Sequence, residues 1–205
     1  VVKPVFLYGS VMFSFLIAIL IGSCLLALPI SAADGKAVPY IDALFTSTTS
    51  ICVTGLVTVP TISTWSVFGQ IVILILIQIG GLGVVTLSTY ILMLLGQKIG
   101  LKQRILLEDA LNLDTMAGLI KFIKKVFMGT LCIEGIGALL YMLVFVPEMG
   151  WKGIWMSVFH SVSAFCNAGM DIMADNSLCD YVTNPVINGV TSALIILGGI
   201  GYIVW

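Results

Sequence analysis

Charge is what this 205-residue sequence most lacks: 9% of its residues are Asp, Glu, Lys or Arg, against 60% hydrophobic. A soluble domain is about 25% charged. A single core of this length cannot hide so much apolar surface from water, so the solvent implied is lipid. The net charge of −1 excludes a basic field that would attract nucleic acid. There is one histidine, His160, and no C-x-x-C among five cysteines. Neither a metal cluster nor a disulfide framework is expected, and the cysteines read as small, reduced packing residues. No Ser/His/Asp, Cys/His or paired-carboxylate arrangement stands out, which argues against an enzyme. A cleavable signal is also lacking, because the apolar stretch 5–28 is too long for an h-region and no A-x-A-like site follows it.

What the sequence has is long apolar runs. Four are long enough to cross a bilayer: Val5–Leu28, Val67–Leu95, Val126–Val146 and Val186–Trp205. The first follows "VVKP" without an initiator Met, and the last has no polar stop, so a longer protein is expected. Between spans one and two, and again between three and four, lies a short amphipathic stretch, Tyr40–Ile51 and Gly153–Phe165. Each is too short to span and too apolar for an ordinary loop. Each fits a half-helix that enters the membrane part way and returns as extended chain. Such backbone is tolerated at membrane depth only where protein buries it or it lines a watery cavity.

The two halves repeat. "SICVTGLVTV" (50–59) and "AFCNAGMDIM" (164–173) are small-residue segments centred on Gly. Phe45, Ser47, Cys52 and Gly55 match Phe159, Ser161, Cys166 and Gly169 at a constant displacement of 114. "IGGLG" (79–83) matches "LGGIG" (197–201), and Leu28-Pro29 matches Val146-Pro147, both at 118. Pro29 and Pro147 are read as closing the first span of each unit. The unit is span, half-helix, loop, span, which returns the chain to its starting side, so the repeats are parallel rather than inverted. The fold class expected is an all-α integral membrane protein with two parallel M1–P-loop–M2 repeats. The first repeat is 1–95, a connecting segment is 96–122, and the second repeat is 123–205.

Lys98, Lys102, Arg104, Lys121, Lys124 and Lys125 are six of the nine basic residues and cluster between the units. The positive-inside rule places this segment and the N-terminus in the cytoplasm, so both half-helices enter from outside.

A monovalent cation that sheds water needs several oxygens in its place, and inward-facing backbone carbonyls supply them in K⁺ channels. That backbone needs a residue free to take positive φ, which is glycine's freedom. "CVTG" and "CNAG" have this character directly after a short helix, whose C-terminal dipole is negative toward a cation. The plainer reading, two Gly turns after short helices, weakens because the loops occur twice in register.

"TSTTSICVTGL", "HSVSAFCNAGM" and the "GGLG"/"GGIG" pair resemble the Trk/Ktr/HKT superfamily of K⁺ and Na⁺ transporters. "LEDALNLDTMAGLIKFIKKV" and "CIEGIGA" resemble the bacterial Ktr-type membrane subunit. The resemblance covers nearly the whole sequence and implies four such units around one K⁺-channel-like pore, of which two are here. It implies ion contacts from the carbonyls of Cys52, Val53 and Thr54 before Gly55, and of Cys166, Asn167 and Ala168 before Gly169. Within the superfamily, Gly at this position goes with K⁺, and Ser in the first unit goes with Na⁺. It further implies K⁺ uptake across the plasma membrane by a multi-pass protein, no cofactor in this chain, a homodimer, and a cytosolic nucleotide-binding ring as regulatory partner near 96–125.

The alternatives are a Na⁺-permeable member, a small-solute carrier and a membrane scaffold. Parallel repeats disfavour the carrier, and paired loops disfavour the scaffold. Asp171 is placed at the outer mouth, where an acid would concentrate cations, but its counterpart is Val57, so no symmetric acidic ring exists. Asp175 and Asp180 read as outer-loop charges. Glu134 lies mid-span, where a charge is costly unless paired or hydrated; its carboxyl is expected to bond a neighbouring helix or to touch the ion path. His160 aligns with Thr46 and is expected to hydrogen-bond behind the loop. The "GGLG" pair reads as close helix packing rather than a nucleotide loop.

Overall fold

The computed structural model describes residues 4–83, 86, 119–173 and 177–201. Among these the structure is all helical, with one isolated bridge, Ala32 to Trp65, and no strand. The helices are α1 (Pro4–Leu26), α2 (Tyr40–Ile51), α3 (Thr61–Thr64), α4 (Val67–Leu82), α5 (Leu119–Met149), α6 (Trp151–Phe165) and α7 (Pro185–Ile200). The connecting residues Lys98, Lys102 and Arg104, and Asp175 in the outer loop, lie outside the described residues.

Local chemistry sets several ends. Ser66 caps α4 by accepting from the Gly69 amide, and Asn184 caps α7 by accepting from the amides of Val186 and Ile187, with Pro185 in the first turn. Gly83 (φ 80°) ends α4 and Gly201 (φ 90°) ends α7. The spans read as Val67–Leu95 and Val186–Trp205 are therefore not continuous helices. The last Gly of "GGLG" and of "GGIG" takes a left-handed conformation that a right-handed helix cannot continue through. Pro147 does not close its span either: α5 runs on to Met149 and the chain turns at Gly150 (φ 60°), from which α6 starts two residues before the expected Gly153. A proline so near the end removes one ladder bond from a turn about to stop, so the helix tolerates it.

Length and exposure fit lipid. Among the described residues one helix, Lys121–Met149, is by itself long and apolar enough to cross a membrane, and Val11–Leu26, Val67–Leu82 and Pro185–Ile200 are shorter apolar helices. Met128, Leu139 and Leu143 of α5 and Met12 and Phe13 of α1 point outward with more than half their surface free. Water would penalise such a surface, whereas acyl chains do not.

In each half a long helix, a short helix and an apolar helix pack together: α1 with α2 and α4, α5 with α6 and α7. Lipid tails are as apolar as Leu, so close packing and hydrogen bonds must hold helices together. The same contacts recur in both halves. A Cβ on Gly22 would lie 2.5 Å from Ser47 Oγ and 2.8 Å from Leu76 Cδ1; one on Gly137 would lie 2.5 Å from Ser161 Oγ and 2.8 Å from Leu194 Cδ1. Ser47 Oγ donates to Ile19 O at 2.8 Å, and Ser161 Oγ donates to Glu134 O at 2.6 Å. The halves share one core, in which Ile73 and Ile77 join Phe159 and Phe165. A polar link crosses it, from Trp155 Nε1 on α6 to Gln70 Oε1 on α4 at 2.7 Å.

Candidate functional site

The short helices α2 and α6 lead into the two Gly loops. Cys52 and Cys166 finish the helices in right-handed conformation, φ −79° and −72°. The next residues, Val53 (φ 54°) and Asn167 (φ 59°), are left-handed, and so are Gly55 (φ 77°) and Gly169 (φ 67°). Right- and left-handed residues in succession gather amides on one side of the chain and leave carbonyls on the other. Backbone bonds fix both loops alike: the Thr54 amide donates to Thr49 O at 3.0 Å, and the Ala168 amide to Ser163 O at 2.8 Å.

Sequence reasoning assigned positive φ to the glycines and missed Val53 and Asn167. For a β-branched residue that conformation is a strained outlier, held by its surroundings. It also missed the bracing hydroxyls, Thr49 and Ser163, although both lie at the 114 displacement. Thr49 Oγ1 bonds Thr54 Oγ1 at 2.6 Å and accepts from the Leu56 amide at 3.0 Å. Ser163 Oγ donates to Met170 O at 2.5 Å.

The loops touch each other. A Cβ on Gly55 would sit 2.6 Å from Ala168 O and 3.4 Å from Gly169 Cα, so no side chain fits there. The glycines of the "GGLG" pair allow similarly close approach from behind. A Cβ on Gly80 would meet Ile51 O, and one on Gly198 would meet Phe165 O, the last helical carbonyls before each loop. A Cβ on Gly81 would meet Cys166 Sγ. Among the described residues Cys166 is buried beneath Gly81 of α4, and Cys52 is exposed.

A cavity of about 560 Å³ opens over the loops, lined by Gly55, Thr58, Gly169, Met170 and Asp171 among others. Asp171 therefore lines this cavity. Its Oδ1 accepts from the Met173 amide at 3.0 Å and its Oδ2 from Ser177 Oγ at 2.6 Å, so the carboxylate is held in place. Asp180 is exposed in the 3-10 turn Cys179–Tyr181. Glu134 is buried, and both carboxylate oxygens accept from Gln78 Nε2 on α4, at 3.0 and 3.2 Å. The Cys166 thiol lies 4.0 Å from Glu134 Oε1. Glu134 thus bonds a neighbouring helix behind the second loop. His160 lies buried among Tyr141, Phe145 and Phe159, and its Nδ1 bonds Met156 O at 2.9 Å. It bonds its own helix rather than the loop.

The description "Cation transport protein" belongs to the TrkH family, which matches residues 10–205. The chain is 47% identical over 192 residues to the potassium/sodium uptake protein NtpJ of Enterococcus hirae, and 48% identical over 191 residues to the Ktr system potassium uptake protein B of Bacillus subtilis. It is 38% identical over 195 residues to the Ktr system potassium uptake protein B of Vibrio alginolyticus. These alignments cover 93 to 95% of this chain and 42% of each relative, so the chain spans about two fifths of their length. The matched residues include both Gly loops and the helices that carry them, and on this evidence the chain belongs to the TrkH family of cation transport proteins.

Proposed function

We propose that this chain forms two parallel M1–P–M2 units, 1–95 and 123–205, of a pore that takes up potassium across the plasma membrane. The family is one of transporters and not of enzymes. The observation that carries the reading is the pair of loops in contact, each at the C-terminal end of a short helix, each with the same alternation of backbone hand. A cation entering past Asp171 exchanges water for the carbonyls of Cys52, Val53 and Thr54 and of Cys166, Asn167 and Ala168, with Gly55 and Gly169 allowing the turn. The C-terminal ends of α2 and α6 add negative dipole at the same place. The remaining units of the ring lie outside this sequence. Segment 96–122 joins the two units on the cytoplasmic side, and the working assembly is a homodimer on a cytosolic nucleotide-binding ring.

A Na⁺-permeable pore is the second reading, favoured by one relative's name, which includes both ions. The test is Gly55→Ser and Gly169→Ser in the full-length protein, reconstituted in liposomes at matched amounts. The K⁺/Na⁺ uptake ratio should fall in both variants. An unchanged ratio in both would make these glycines turn residues only and place the ion site elsewhere.

A further inference from the structure

Behind the second loop, between α5, α6 and α7, is a cavity of about 190 Å³ that adjoins the one over the loops at Gly169, Met170, Asp171 and Ser177. Its lining includes Tyr141, His160, Ser163, Asn167, Asp171 and Thr191. His160 is 4% exposed, and its Nε2 has no hydrogen-bond partner among the described residues. A carbonyl cannot donate, so the bond to Met156 O fixes the proton on Nδ1. In the neutral ring Nε2 is then a lone-pair acceptor and requires a donor.

The donors around it are committed. Thr191 Oγ1 donates to Ile187 O at 2.7 Å, so the Tyr141 hydroxyl is the donor in the 2.5 Å bond between the two. Ser163 gives its proton to Met170 O and Ser177 gives its proton to Asp171 Oδ2. The Asn167 amide points to the carbonyls of Phe165 and Ile195, 3.4 Å from each. A buried acceptor left unpaired is costly, and native structures avoid it. Water occupies about 30 Å³ in the liquid and needs two to four polar partners, so this cavity has both the room and the partners.

We propose that His160 is a positioning residue for the second Gly loop, acting through water held in this cavity. The water donates to Nε2 and reaches the loop at Asn167 and Asp171, which flank Gly169 and line the same space. The first loop has no such arrangement. Thr46 stands where His160 does, and Thr49 braces Thr54 and Leu56 directly. Both loops have direct braces, and the second adds water that can rearrange. The inference rests on the reading of these loops as the ion site.

The experiment compares His160→Phe, His160→Gln and Gly169→Ser in the full-length protein, by ⁸⁶Rb⁺ and ²²Na⁺ uptake into liposomes at matched amounts. Phe keeps a ring among Tyr141, Phe145 and Phe159 but removes the acceptor; Gln places an amide where Nε2 stood. The Rb⁺/Na⁺ ratio of His160→Phe should fall about two- to tenfold, the range set by losing one hydrogen bond. His160→Gln should keep it. If Gly169→Ser shifts the ratio and His160→Phe does not, the inference fails and the ion-site reading stands. If neither shifts it, both fail. Radiolytic hydroxyl labelling of the wild-type protein decides independently of folding in the variants. Tyr141 is fully buried, so its labelling requires adjacent water, and an unlabelled Tyr141 and His160 would overturn the proposal.

Discussion

Gly55 and Gly169 look interchangeable in sequence, and the structure separates them. At Gly169 (φ 67°) an added Cβ would have Gly55 Cα as its nearest neighbour, at 3.7 Å, which is ordinary contact. Within the described residues, Gly169→Ala therefore carries only the cost of a left-handed L-residue, about 1–2 kcal/mol. At Gly55 (φ 77°) the same cost applies, and the Cβ would also lie 2.6 Å from Ala168 O. The neighbour is backbone and cannot rotate away, so the loops must part, at a further cost of about 1–3 kcal/mol for overpacking. The displaced atom is a proposed ion contact of the other loop. A substitution in the first unit should therefore damage the site in the second.

The close contact lies between the two loops rather than between helices, so the strain is expected to be relieved by loop distortion and to appear in ion affinity. Tenfold in affinity corresponds to about 1.4 kcal/mol. The expected result, in the full-length protein, is an apparent KM for Rb⁺ raised roughly five- to thirtyfold by Gly169→Ala and at least about fivefold further by Gly55→Ala. The thermal midpoint in detergent should move by only a few degrees in either. Equal KM changes in the two variants, or a larger change at Gly169, would show that contact between the loops does not shape the ion site.

Two further outcomes follow from the packing around the loops. Gly198→Ala sets a Cβ against Phe165 O and 3.2 Å from Asn167 Nδ2, so it should destabilise the protein by about 1–3 kcal/mol. Gly189→Ala on the same helix meets nothing within 4 Å and should stabilise by about 0.5–1 kcal/mol; the comparison is read from thermal midpoints, and equal effects would refute it. Glu134→Gln can keep a bond to Gln78, whereas Glu134→Leu leaves the Gln78 amide unpaired at a cost of about 1–3 kcal/mol, so the Leu variant alone should lose folded protein, checked by monodispersity in detergent.

How legible all this was depends on which force set each feature. The short helix Tyr40–Ile51 could be read to the residue, because its amphipathic stretch ends where the small residues begin. The pairing of the loops was legible because Cys and Gly recur at one displacement. Val53 and Asn167 were not: a β-branched residue disfavours positive φ and Asn only tolerates it, so the surroundings decide it. The ends at Gly83 and Gly150 were hidden for a different reason. Glycine inside an apolar run serves equally as a packing surface or as a helix stop, and "GGLG" uses both: Gly80 and Gly81 let neighbours approach, and Gly83 ends the helix. Pro147 misled because a proline's effect depends on how much helix remains beyond it.

The two loops reach one backbone geometry with unlike side chains. Val53 and Asn167 share a left-handed φ, Thr49 and Ser163 brace different atoms, and His160 stands where the first unit has Thr46. This divergence is what the proposed site of carbonyls would permit. Every residue supplies the same oxygen, so selection for the chemistry falls on φ and ψ and on whatever holds them. Glycine is needed where no Cβ can be accommodated, as at Gly55, and a hydroxyl serves where a loop amide or carbonyl needs a partner. Elsewhere the side chain is free to answer its own surroundings. The loops can therefore present matching oxygens toward an ion while differing behind it, and those differences, His160 above all, are where the two units can be tuned separately.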